Sequence, residues 1–276
     1  MKPLILVPML ILLAAMPPVR HSAADSDTEA AQRITVPLTD PSRPATLKVS
    51  IVMGGITVEG YGGREVVVEA VGRAEPFHDR PPRGAEGMHR IPNSSLGLSA
   101  DEDNNVVRVE ARTWVHGGQL HIKVPFHSSL HLGSVNGGDL RVTGVDGELE
   151  LANVNGSIEA RDVAGSVVAH TTNGDVNVVL RRVDAGKPMA FSTLNGDINV
   201  TLPGDLKADV RLSSDRGDIY SDFEIQARGR AAVDEHKGGR HRIAIEKELR
   251  GTINGGGPEL LVKTFNGDIF LHRAKG

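Results

Sequence analysis

The chain has 276 residues, 39% of them hydrophobic, with 32 Gly, no Cys, and only 1 Trp, 2 Tyr and 6 Phe. Its net charge of −4, with acids and bases mixed along the chain, disfavours nucleic acid as a partner, and the absence of Cys excludes a disulfide framework. Glycine without a three-residue register excludes collagen, and abundant Val, Ile and Leu in ordered patterns exclude a largely disordered chain.

Residues 1–24 read as a secretory leader. Lys2 supplies the positive start, Leu4–Met16 the apolar stretch, and Ser22-Ala23-Ala24 the small residues before cleavage at Asp25. Pro8 and Pro17-Pro18 break the run well short of the roughly 20 residues a spanning helix needs. The chain left after cleavage is expected to carry no membrane span. Losing Lys2 and Arg20 takes the net charge from −4 to −6.

Residues 25–129 read as an N-terminal β region that caps the repeats downstream of it. Strand-like alternation marks Leu47–Val52, Gly55–Glu59, Glu65–Val71, Val106–Ala111 and Leu120–Val124. Ile56-Thr57-Val58, after Gly54-Gly55, looks like a degenerate copy of the repeat. Residues 75–105, rich in Pro, Gly and charge, are expected to form a long surface loop.

From residue 130 one pattern recurs: apolar-x-apolar-x-small-x-Asn-Gly-Asp-apolar-x-apolar. It appears at Leu130–Val142, Leu149–Ala160, Val167–Val178, Met189–Val200, Val210–Ser221 and Leu260–Leu271. Aligned, the copies give an Asn column of Asn136, Asn155, Asn173, Asn195 and Asn266. A Gly column holds Gly137, Gly156, Gly174, Gly196, Gly217 and Gly267, and the first copy has one extra Gly that reads as a bulge. Next comes Asp139, Ser157, Asp175, Asp197, Asp218 and Asp268. Ahead of the turn lies Ser134, Asn153, Thr171, Thr193, Ser214 and Thr264. Asn-Gly is a strong turn signal, and the alternation beside it is that of a strand with one buried face.

Units of about 18–22 residues cannot bury an apolar face alone and must stack on their neighbours. The expected fold class is therefore all-β: a β-solenoid of short coils with the N-terminal cap and a C-terminal insertion at residues 224–257. A meander would place equivalent columns on alternate strands. Direct stacking explains why each column keeps one chemical type. The insertion is expected to form a hairpin against the rod, carrying Arg242–Ile245, with the last repeat returning as the final coil. A narrow core suits Val, Ile, Leu and Ala, and Phe191, Phe223 and Phe265 are expected to fill wider or terminal levels.

The runs NGDINV, NGDVNV and TFNGDIF, with TINGGGPE at Thr252–Glu259, resemble the bacterial putative-adhesin family of domain-unknown-function β-repeat proteins. The resemblance spans residues 34–273. It implies an exported or membrane-anchored protein with a β-solenoid-like repeat domain and a role in cell-envelope or surface interaction. It brings no catalytic residues with it.

Four features invite a sharper chemistry. Stacked Asp residues could draw calcium, yet the Gly-Gly-x-Gly-x-Asp nonapeptide is missing, and turn-forming Asp explains the column. His116, His121, His127 and His131 crowd together at a spacing that matches no defined metal site. Arg216-Gly217-Asp218 reads as a receptor tripeptide but sits in register with Asn-Gly-Asp elsewhere. No nucleophile elbow, phosphate loop or dinucleotide fingerprint is present.

The sequence thus reads as a non-catalytic exported scaffold, periplasmic or extracellular, with no cofactor or metal. Its partner is a protein or polysaccharide surface, and rods stacking end to end are a further expectation. The alternative is an exported polysaccharide-active β-helix enzyme.

Overall fold

Apolar residues at every second position give each strand one buried face, and the fold closes those faces on one another. The computed structural model describes residues 30–72, 97–111, 118–228, 232–237, 240–245 and 248–275. The leader expected at 1–24, residues 75–96 of the expected loop and His116 lie outside them. All ordered elements among the described residues are strands, and no helix there is long and apolar enough to cross a membrane. A 20-stranded mixed sheet wraps, nearly closed, around one apolar core that runs from Val36 to Leu271.

The sheet contains two ladders of parallel strands joined by the repeated turn. One level is a strand from each ladder. Asp146–Asn155 pairs in parallel with Ser128–Asn136 on one side and with the end of Ile158–His170 on the other. In the second ladder, the start of Ile158–His170 lies between Leu140–Thr143 and Val176–Val183. Met189–Asn195 and Ile198–Leu202 form the next level.

The order of levels then departs from the order of the chain. Glu259–Asn266 pairs with Met189–Asn195 on one flank and with Ala208–Ser214 on the other. Ile269–Arg273 likewise sits between Ile198–Leu202 and Ile219–Ser221. The last repeat, expected as the final coil, is thus the penultimate level. The stack ends instead on Ala208–Ser214 and Ile219–Ser221. The same inversion occurs at the other end. Ala45–Met53 and Gly55–Tyr61 lie between the level of Ser128–Asn136 and that of Val106–Ala111 with Gln119–Pro125. Eight levels result where six coils were expected. The boundary drawn at residue 129 falls inside a continuous sheet, because the strands at Ala45–Tyr61 repeat the downstream register without the Asn-Gly signature.

Antiparallel strands finish the stack. Glu65–Gly72 pairs with Gln119–Pro125, Ala30–Pro37 with Glu65–Gly72, and Leu98–Asp103 with Val106–Ala111. At the far end Leu249–Ile253 covers Ala208–Ser214, and Gln226–Arg228 covers Leu249–Ile253. Open parallel edges invite pairing with other chains, and reversing strand direction interrupts the repeat that another rod would have to match. Leu98–Asp103, expected within a loop, is a strand because Asn104 and Asn105, with φ of 52° and 65°, make a tight hairpin turn. The insertion does hold a hairpin, Ala232–Lys237 with Arg240–Ile245, as a separate two-stranded sheet.

Core side chains obey the alternation: Leu149 and Leu151 in one ladder, Ile158 and Ala160 in the other, are buried. Phe191 is fully buried and Phe223 nearly so, with the Arg273 guanidinium 5.0 Å from its ring centre. Phe265 is not a core residue. It follows inward-facing Thr264 and therefore points outward, 37% exposed.

The N-terminal corner holds a carboxylate. Glu102 accepts the Thr39 N–H at 3.0 Å, the Asn105 N–H at 2.8 Å and the Thr39 hydroxyl at 2.9 Å. These donors, the Thr39 N–H foremost, hold its pKa below the usual glutamate value. The contribution is therefore in place above the unfolded pKa and is lost as pH falls through the lowered native one.

Stability should respond in two ways. Ile198 is fully buried between Val176 and Ile269, so Ile198→Asp should cost more than about 4 kcal/mol and lower the melting midpoint of the whole stack in one transition. Melts taken from about pH 6 down to about pH 3 should show a loss of stability that is smaller in Glu102→Gln, which has no charge to lose.

Candidate functional site

Every repeated polar residue at the turn finds its partner in the adjacent level. In the first column the side chain reaches back to a glycine carbonyl. Thr171 Oγ1 donates to Gly156 O at 2.9 Å, Thr193 Oγ1 to Gly174 O at 2.9 Å, Thr264 Oγ1 to Gly196 O at 3.0 Å and Ser214 Oγ to Gly267 O at 2.8 Å. Ser134 donates to Gly54 O, and Asn153 Nδ2 to Gly138 O, in the same way. These groups are buried, so leaving one unpaired would cost more than the roughly 1 kcal/mol each bond contributes.

The asparagines form a continuous amide ladder on the exposed side. Asn155 Nδ2 donates to Asn136 Oδ1 at 2.8 Å, Asn173 to Asn155 at 2.8 Å, Asn195 to Asn173 at 2.9 Å and Asn266 to Asn195 at 2.8 Å. Arg216 takes the next position, and its guanidinium lies 5.2 Å from the Phe265 ring centre. The Arg216-Gly217-Asp218 tripeptide is thus the terminal level's version of the turn.

The carboxylate column uses one oxygen per level to accept the next backbone N–H. The Ser157 N–H donates to Asp139 Oδ1 at 2.9 Å, Asp197 N–H to Asp175 Oδ1 at 2.9 Å, Asp268 N–H to Asp197 Oδ1 at 2.8 Å and Asp218 N–H to Asp268 Oδ1 at 2.8 Å. Each amide offsets part of the repulsion between like charges one strand spacing apart. Among the described residues, no group of three or more His, Asp or Glu is arranged to hold a metal ion. His127, His131 and His272 each stand beside a single carboxylate, at 3.8, 2.8 and 3.5 Å.

The glycine column is set by close approach. A Cβ on Gly174 would lie 2.4 Å from Gly156 O, and one on Gly196 would lie 2.2 Å from Gly174 O. In the first copy Gly138, not Gly137, occupies this column, since Gly138 O faces Gly156. Gly137 is the inserted residue and takes a φ of 85°.

One further column went unread in the sequence. The residue between the Thr/Ser and Asn columns faces outward at six successive levels, as Val52, Val135, Val154, half-buried Thr172, Leu194 and Phe265, and Asp215 takes the position at the level after Phe265. Val52 is 67% exposed and Leu194 47%. Register pairs on either side of each residue place them one above the next, a row about 24 Å long. The signal was present in the tetrapeptides SVNG, NVNG, TLNG and TFNG, which put an apolar residue where strand alternation calls for a polar one.

The Toastrack DUF4097 model matches residues 116–271. The chain belongs to this family. The matched stretch takes in the whole Asn-Gly ladder of the Toastrack fold. Three solved structures are similar. A putative cell adhesion protein from Clostridium sporogenes shares 9% identity with a TM-score of 0.46, over 90% of this chain and 100% of that one. A putative adhesin from Bacteroides fragilis shares 12% with a TM-score of 0.34, over 89% and 98%. A putative adhesin from Parabacteroides merdae shares 11% with a TM-score of 0.30, over 91% and 98%. No curated protein matches the Toastrack chain.

Gly196→Ala should lower stability by several kcal/mol, because both the φ of 149° and the facing carbonyl oppose a Cβ. Gly186→Ala should change it by less than about 0.5 kcal/mol, since only Asp184 Oδ1 at 3.8 Å is near. Chemical denaturation of the two variants measures the contrast.

Proposed function

We infer that the stack is a β-solenoid and that this Toastrack protein is a non-catalytic, exported, adhesin-like scaffold of the cell envelope or cell surface. The observation that carries the reading is the exposed row Val52–Val135–Val154–Leu194–Phe265 beside a polar ladder that satisfies itself. The amides bond one another, and Asp139, Asp175, Asp197 and Asp268 each spend an oxygen on the next level. What this edge offers outward is apolar area, which is scarce on the surface of a protein without a partner. Apolar side chains of this kind suit a protein surface better than a sugar. The repetition of every column argues for a scaffold, since catalysis needs one group set apart from its neighbours. The leader-like residues 1–24 support export.

Labelled protein should bind envelope fractions of the cells that make it. The double variant Leu194→Asp with Phe265→Asp should bind at least about tenfold more weakly, a difference of about 1.4 kcal/mol, with its melting midpoint nearly unchanged. Undiminished binding by the variant would remove this edge from the role. Absence of binding by the parent protein would overturn the adhesive reading itself.

A further inference from the structure

The level built from Glu259–Asn266 and Ile269–Arg273 is an insert. The levels on its two flanks are joined directly to each other, Leu202 to Ala208, by Pro203–Lys207 alone. That short connection spans two strand spacings, about 9.6 Å, and the insert fills the gap between. Both flanking levels precede the insert in the chain, so the gap is a site with its own shape before Glu259–Arg273 occupies it.

Its recognition chemistry is fully specified. One wall offers Gly196 O to the Thr264 hydroxyl, Asn195 Oδ1 to the Asn266 amide and Asp197 Oδ1 to the Asp268 N–H. The other wall sends the Ser214 hydroxyl to Gly267 O and the Asp218 N–H to Asp268 Oδ1. Arg211 fastens the entrance, with Nη1 3.0 Å from Glu259 and Nε 2.6 Å from Glu248 on the preceding arm. Only a strand-turn-strand of the Thr-x-Asn-Gly-Asp type answers both walls.

The turn that delivers the insert is tight and held by its glycines. Asn254, Gly255 and Gly256 have φ of 49°, 89° and 89°, three successive residues in the left-handed region. A cleft of about 380 Å³ lies between this turn and the Pro203–Lys207 connection, bordered by Leu206, Gly257 and Pro258. An extended Asn254–Pro258 would carry the insert away from its own stack. A short hinge of this sort favours exchange of identical elements between copies, because every contact of the insert is reproduced in the partner.

We propose that this level is a strand-exchange site, which takes the Glu259–Arg273 strand pair of a second copy of this chain and so forms a reciprocal dimer. The proposal does not rest on the adhesive edge: Phe265 travels with the exchanged strand and keeps its outward place in either copy, so mass reads the exchange and envelope binding reads the edge. Held at high concentration just below its melting midpoint, the full chain converts in part from monomer to dimer. After cooling and dilution the dimer persists for days, since separation requires the level to be withdrawn. Deleting Gly255 and Gly256 removes the tight turn and makes dimer the main species, at least about tenfold over the parent under the same conditions, with the β circular dichroism retained. Where that deletion does not fold, Gly255→Val with Gly256→Val gives the same shift by opposing positive φ. Light scattering reads the mass. Monomer throughout in the parent and in the folding hinge variant would overturn the proposal. So would a dimer that trades subunits within minutes with an isotope-labelled copy, because that would be a surface contact.

Discussion

The fold depends on one constraint: each polar group at the turn is satisfied by the level next to it, at the spacing of adjacent β-strands. A hydroxyl reaches a carbonyl, an amide reaches an amide, and a carboxylate reaches a backbone N–H, always across the same gap. A donor in one level therefore dictates an acceptor in the next. Identity along a column is the simplest sequence that meets this demand at every level. Glycine enters for the same reason, as the residue that lets two turns approach within strand spacing.

That constraint also explains what could be read in advance. Columns are local features, written 18 to 22 residues apart, and their chemistry is visible without coordinates. The order in which levels stack is not visible. The repeats are alike in sequence, and Thr264-x-Asn266 sits between Thr193-x-Asn195 and Ser214-x-Arg216 although it comes last in the chain. The level at Ala45–Tyr61 shows in the sequence only as a degenerate copy, because Met53 stands where the others have Asn and the amide ladder begins one level later at Asn136. Gly137 was misplaced because two glycines competed for one column, and only the facing carbonyls distinguish them. The Asn104-Asn105 hairpin was hidden by the polar composition around it. The outward apolar column was overlooked because its members look like ordinary strand residues until the side they face is known.

The two ends meet the edge problem differently from the middle. Interior levels bond to identical neighbours and need no further device. The end levels have no such neighbour, and the chain covers them with strands of opposite direction at Glu65–Gly72, Leu98–Asp103 and Leu249–Ile253. Leu249–Ile253 does run into an Asn-Gly pair, but the Asn254 amide bonds the Leu206 carbonyl and not the ladder, so the repeat stops where its hydrogen-bonding code stops. The polar clamps lie at these places too, Glu102 on Thr39 at one end and Arg211 on Glu248 at the other.

The displacement of a level inward at each end has a mechanical meaning. Ile269–Arg273 takes a pull at residue 275 directly, and Ala45–Met53 takes one at residue 30 only after Ala30–Pro37, paired with Glu65–Gly72 alone, has yielded. Both strands are hydrogen-bonded on two flanks. Traction along such a strand loads its bonds together in shear, whereas a strand at the rim would peel away one bond at a time. By entering its own stack one level in from the end, the last strand pair sits where tension along it is shared most widely, while at the other end Ala30–Pro37 yields first.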